Sequence, residues 1–146
     1  MTDEGEAPPV RFRTVPRATA GGAGNVEGNS EINRYPAVAA ELRTLLSGCQ
    51  EIIDRGQAEF LSTESQLTSL AAEALIIHFG DLVKERLPSR VKVINHTLPW
   101  REITHTRNIV AHQYLRADPQ VIWNVVSRSL PDAIRQILAS VPPATP

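Results

Sequence analysis

The sequence predicts an all-α, up-and-down helical bundle of four to five helices, dimeric, behind a disordered N-terminal arm. Three observations predict it. From Tyr35 onward apolar residues recur at three- and four-residue spacing, and no segment alternates apolar with polar as a strand does. Residues 1–34 hold almost no large apolar side chain. The turn-forming residues fall between the periodic stretches, where helix ends are expected.

The arm comes first. Gly5, Gly21, Gly22, Gly24 and Gly28, with Pro8, Pro9 and Pro16, sit among Thr, Ala, Glu and Asn. Such a segment buries too little to offset its ordering entropy. Its "RFRTVPR" carries three arginines. Contact with RNA or a partner is one reading of them, and a solvated tail is the plainer one. The helical domain is expected over 35–141, with 142–146 a flexible tail.

The first helix is expected over about Pro36–Arg55, with Val38, Leu42, Leu45, Leu46, Cys49, Ile52 and Ile53 on its inner face. Gly56 supplies a stop. The second is expected over about Thr63–Arg86, ended by Pro88. Its Leu67, Leu70, Ala71, Ala74, Leu75, Ile76, Ile77 and Leu82 make a face too broad for one neighbour. That places it at the centre of the bundle or in a subunit interface. Pro99 opens a third helix, carried by "PWREITHTRNIVAHQYL" to about Leu115. Asp118 and Pro119 read as N-cap and first-turn residue of a fourth. Pro131 falls in mid-pattern, so a kink or a fresh helix is expected through Ile134, Ile137 and Leu138.

Composition narrows the function. Fifteen basic and sixteen acidic residues among 146 give a net charge of −1, so no global basic field advertises nucleic acid. The lone Cys49 excludes an internal disulfide, and no Cys/His pattern suggests zinc. The acidic opening "MTDEGEAPPV" lacks the apolar core of a signal peptide, and no run is long enough to span a membrane. A cytoplasmic setting is expected, with no membrane partner and no cofactor.

The third helix concentrates the chemistry. At about 100° per residue, Trp100, Ile103, Arg107, Val110 and Tyr114 fall on one stripe, so Arg107 interrupts an apolar line. A guanidinium there needs a partner, because an unpaired buried charge costs several kcal/mol. The structural reading pairs it with Asp81 or a helix C-terminus. A second stripe holds Arg101, His105, Asn108 and His112, and its plain reading is a face turned to water. Asn108 and His112 are four apart, so the amide is placed to orient the imidazole. His105 and His112 lie two turns apart, but no carboxylate joins them, and no metal site is expected.

Arg107 and His112 are five apart, about 140° around an ideal helix. One straight helix does not aim both at one small target. Either the helix loosens between them, or a second copy completes the site, which points to a homodimer with a shared cleft. Between Lys84 and Arg107 the local net charge is +4. Basic residues and a histidine beside aromatics suit phosphate contact with acid–base chemistry on RNA. Ordinary solvated charges are the competing reading.

Arg107, four residues, His112, one residue and Tyr114 match the RX4HXY motif, and here the sequence resembles the HepT-like toxins of the HEPN superfamily. "LPWREITHTRNIVAHQY" is similar to the family's proline–tryptophan approach to the motif helix. "VIWNVVSRSLPDAIRQI" is similar to the segment after it. "LIIHFGDLVKERLP" resembles the second long helix, with Gly80-Asp81 where the family usually has Gly-Glu. The resemblance spans about residues 36–140. It implies the toxin of a HepT/MntA-type toxin–antitoxin pair, a metal-independent endoribonuclease whose Arg and His line a cleft between two subunits. Carried over, His112 would be the general acid/base and Arg107 would hold the scissile phosphate, with Asn108 and Asp81 supporting. Tyr114 would be the residue to which a cognate minimal nucleotidyltransferase antitoxin transfers AMP. Arg107 and Tyr114 lie within about 20° on the helix, so the added anion would sit where it blocks the cleft. The alternative is a non-catalytic HEPN dimer that binds a nucleotidyltransferase. A third reading is a plain helical domain in which Arg107 is a structural ion.

Overall fold

The computed structural model describes residues 27–62, 66–112 and 118–141, with side chains from Arg34 onward. In chain order the elements are α1 (Glu27–Arg55), α2 (Gln57–Leu61), α3 (Gln66–Glu85), α4 (Ser89–Ile94) and α5 (Trp100–His112). Then come α6 (Pro119–Asn124), a π-helical turn (Val125–Ser129) and α7 (Leu130–Ser140). No strand occurs among the described residues, and the all-α expectation holds. Residues 1–26 with the three arginines of "RFRTVPR", Tyr114 and the tail 142–146 lie outside the described residues.

The inner face of α1 is the expected one. Val38, Leu42, Leu45, Cys49 and Ile52 are buried, while Leu46 and Ile53 are half-buried at its edges. The helix nevertheless starts at Glu27, nine residues ahead of Pro36, within the segment read as arm. Once a packed helix exists, each further residue adds a backbone hydrogen bond without a new nucleation step. Apolar periodicity does not register such an extension. At the other end Gly56 adopts φ +90°, a left-handed conformation that an L side chain resists, and α1 stops there. The linker expected after it instead contains the short α2, anchored by buried Phe60. The Phe60 ring lies 5.3 Å, centroid to centroid, from that of Trp123.

Helix α3 occupies the centre and packs against α1, α5, α6 and the π-helical turn. Its buried residues are Thr68, Ala72, Ile76, Phe79, Gly80, Leu82 and Val83. It runs antiparallel to α1. Glu41 of α1 meets Arg86 just beyond α3, while Gly48, further along α1, lies against Leu75, earlier in α3. The width of its apolar face is only partly used within one chain. Leu67 is 70% exposed and Leu70 59%.

Helix α4 is not legible in the periodicity, being six residues long. It is tied down by Asn95, which is buried and donates from Nδ2 to the Val91 carbonyl (2.9 Å) and to Ser140 Oγ of α7 (2.8 Å). Asp118 caps α6 as expected, its carboxylate accepting from the Gln120 backbone N–H at 2.9 Å, with Pro119 in the first turn. Pro131 stands in the first turn of a fresh α-helical segment, α7, one of the two expected outcomes. The turn before it widens to π geometry, with the Leu130 N–H bonded to the Val125 carbonyl five residues back. That register accommodates a residue with no N–H to donate and a ring that crowds the preceding turn. Beyond it Ile134 and Ile137 are fully buried. Burial pushes the Cys49 thiol up to about 11, so the single cysteine is a core residue and not a nucleophile.

One polar cluster joins α1 to α3. Glu41 accepts a 2.6 Å hydrogen bond from Arg86 Nη2, and His78 Nε2 lies 3.4 Å from its other oxygen. The Arg86 hydrogen bond holds the Glu41 carboxyl below its ordinary value of 4.5, against the opposing effect of burial. A carboxylate whose pKa falls on folding stabilises above its unfolded pKa, and that contribution disappears as pH drops through the folded value. The cluster is partly exposed, so its worth is about 0.2–1 kcal/mol. Urea unfolding should show Glu41→Gln less stable than wild type by that amount at neutral pH. The gap should close as pH is lowered from about 5 to about 3.

Candidate functional site

The site is built where α5 crosses α3. A Cβ placed on Gly80 would run into Cβ and Cγ of Arg107, closer than real atoms approach, so the arginine stem lies directly on the glycine backbone. No other residue type permits that approach without a shift of one helix. From there Arg107 Nε donates to Asp81 Oδ1 at 2.7 Å, and Nη1 donates to Asn108 Oδ1 at 3.2 Å. Three of the residues singled out from sequence, Asp81, Arg107 and Asn108, are thus one connected group. The Arg107 side chain is 27% exposed and that of Asp81 is 41% exposed. The guanidinium is therefore held in place at the surface, on a half-buried ion pair, with hydrogen-bonding capacity left over.

His112 is the last residue of α5 and is exposed, with no side-chain partner among the described residues. The helix is regular from Trp100 to His112, so it does not loosen between Arg107 and His112. The two therefore diverge around it by the angle the sequence predicts, and no direct contact joins them. Asn108 sits between. Its amide oxygen is bonded to Arg107, and its position one turn before His112 puts it on the histidine's stripe. His105 and Arg101 extend that stripe, both exposed. Among the described residues no group of three His, Cys, Asp or Glu side chains is arranged to hold a metal ion. No described helix is long and apolar enough to cross a membrane.

What sequence reasoning misses here is the part played by Gly80. It names Gly80 only as the neighbour of Asp81. A glycine in the middle of a helix is disfavoured by about 1 kcal/mol relative to alanine, and that local inconsistency is the available signal of a close approach.

A positioned cation, an amide bridging to it and an exposed imidazole on one helix define a helical protein equipped for holding an anion and exchanging protons. Comparison with known proteins agrees. The model of the family described as ribonuclease HepT-like matches residues 42–139, and the chain belongs to that family, within the HEPN superfamily. Among curated proteins it is similar to "Putative RNase TTE0752" of Caldanaerobacter subterraneus subsp. tengcongensis. The identity is 26% over 99 residues, covering 66% of this chain and 87% of the relative. No solved structure matches significantly.

Two substitutions test the geometry. Gly80→Ala should destabilise by about 1–3 kcal/mol through overpacking against Arg107. Helix propensity alone would make the same change stabilising by about 1 kcal/mol, so the sign in urea unfolding decides. Arg107→Ala should leave a folded protein at a cost of about 1–2 kcal/mol in ion pair and stem packing, because Asp81 remains solvated when its partner is gone. A melted protein would mean that the arginine is a structural ion.

Proposed function

We propose that this protein is the toxin of a toxin–antitoxin pair, an endoribonuclease that cuts RNA without a metal in a cleft shared by two copies. The observation that carries this reading is the fixed Asp81–Arg107–Asn108 group on the same helix of the HepT-like family as His112, which has no side-chain partner among the described residues. Arg107 holds the scissile phosphate, its orientation set by Asp81. In the reaction the RNA 2′-oxygen attacks the adjacent phosphorus and gives its proton to a neutral imidazole. The bond from phosphorus to the 5′-oxygen breaks, and that oxygen takes a proton from an imidazolium. The products are a 2′,3′-cyclic phosphate and a free 5′-hydroxyl. His112 serves these transfers, since an imidazole can accept a proton at one ring nitrogen and donate one when charged.

Two features support the homodimer. Arg107 and His112 diverge around a regular helix, so the arginine of one copy and the histidine of the other can converge where one copy's own pair does not. Leu67, Leu70, Ala71 and Ala74 form an exposed stripe on α3 that continues, at helical spacing, to Asp81. A second copy covering that stripe would bring the two sites together. Neutralisation is by AMP transfer to Tyr114, catalysed by a cognate minimal nucleotidyltransferase: the tyrosine oxygen bonds to the α-phosphorus of ATP and loses its proton, the bond to the β-phosphate breaks, and pyrophosphate leaves. The bulky anion then occupies the phosphate's place.

The test is cleavage of an unstructured RNA in excess EDTA by wild type and by a folded His112→Ala variant. Wild type should cut, leaving cyclic phosphate ends, and the variant should lose at least about 100-fold in rate. Cutting that depends on added Mg²⁺ would overturn metal independence. No cutting under any condition would leave a non-catalytic partner-binding dimer. Incubation with the nucleotidyltransferase and ATP should add one adenylyl group, detected by mass, to wild type but not to Tyr114→Phe, and should stop cleavage.

A further inference from the structure

The solvent-facing stripe of α5 ahead of Arg107 has no part in the chemistry just described, yet it carries exposed donors in line with the site. A shallow groove, open to solvent, is lined among the described residues by Trp100, Arg101, Glu102, Thr104, His105 and Asn108. Arg101, His105, Asn108 and His112 fall within about 60° of one another around the helix, on the side opposite Val110 and the core. Arg101 and His105 are exposed, and neither has a side-chain partner among the described residues. The far end of the groove is Asn108, whose amide oxygen is already bonded to Arg107.

We propose that this groove is a track for single-stranded RNA, with Arg101 and His105 touching the substrate and leading the strand to Arg107. The inference rests on the ribonuclease reading and names where the substrate lies outside the reacting bond. Three features select a single strand. The stripe is one side chain wide and about 16 Å long from Arg101 to His112, which suits one backbone and not the paired backbones of a duplex. Arg101 and His105 stand one helical turn apart and can donate hydrogen bonds to phosphate or base edges. Trp100, packed against the core and only partly exposed at the start of the groove, can meet an unstacked base with the part of its ring that solvent reaches. Glu102 is the carboxylate among the lining residues and opposes the strand. It also lies in the first turn of α5, where negative charge favours the helix. Stability and RNA binding therefore pull in opposite directions at that position.

The experiment is fluorescence anisotropy in EDTA with a labelled, unstructured RNA of about ten nucleotides, within the site sizes of single-strand grooves. A 2′-O-methyl group at every position blocks attack by the 2′-oxygen and keeps the probe uncut. Arg101→Ala/His105→Ala should weaken binding about ten-fold and make the salt dependence shallower by about 0.7 for each phosphate no longer neutralised. Arg101→Lys should restore most of the affinity. Glu102→Gln should bind more tightly than wild type while unfolding at a lower urea concentration, a combination that a merely structural role does not produce. In cleavage of ordinary RNA the double variant should raise KM with kcat changed less than about two-fold. Binding by wild type that is unchanged in the double variant overturns the track whatever happens to cleavage. Binding without cleavage, abolished in the double variant, supports the track and sinks the ribonuclease reading alone. A wild-type protein that does not bind overturns both.

Discussion

The structure depends on one close approach, the Arg107 stem resting on the Gly80 backbone. Because glycine has no Cβ, α5 comes near enough to α3 for Arg107 Nε to reach Asp81 at 2.7 Å. A side chain in that position would move one of the two helices. The guanidinium would then be released into solvent, where a flexible side chain must be ordered each time it meets a ligand. The glycine costs helix stability locally, and the bundle accepts that cost where it yields a fixed cation at the surface.

The rest of the bundle serves to keep α3 rigid beneath that approach. Helix α1 runs antiparallel to it along a face of Val38, Leu42, Leu45, Cys49 and Ile52, and α7 closes the core with Ile134 and Ile137. The π-helical turn before Pro131 lets α6 and α7 continue across a proline without opening the core. Asn95 locks α4 to α7 through Ser140, which fixes the segment that leads into α5. The helix bearing Arg107, Asn108 and His112 is thus anchored by packing at its inner face, and no described residue covers its outer one.

That division of faces accounts for the chemistry assigned to α5. Arg107 lies near the boundary between core and solvent, so it can be both oriented by Asp81 and open to an anion. His112 is exposed on the solvent side, and among the described residues no hydrogen bond commits its nitrogens. Neither residue is unusual alone. Their placement on one rigid helix, bridged by Asn108, makes the pair useful, and family membership says on what class of substrate.

The sequence by itself determined the helical class, the inner faces of α1 and α7, the Asp118–Pro119 cap, the Gly56 stop and the motif stripe of α5. Each of these is written in spacing of a few residues, the range over which one helix turn constrains its neighbours. It also offered Asp81 as the partner of Arg107, because a guanidinium interrupting an apolar line requires a carboxylate. Tertiary structure decided the rest. The exposure of Leu67 and Leu70 depends on which neighbours α3 actually has. Short α2 and α4 hold too few residues to establish a period, and the start of α1 at Glu27 adds no apolar signal. The Gly80–Arg107 approach joins residues 27 positions apart, and the one local signal, a glycine in mid-helix, does not say what lies against it. Spacing places a side chain on its own helix; only packing decides what lies opposite it.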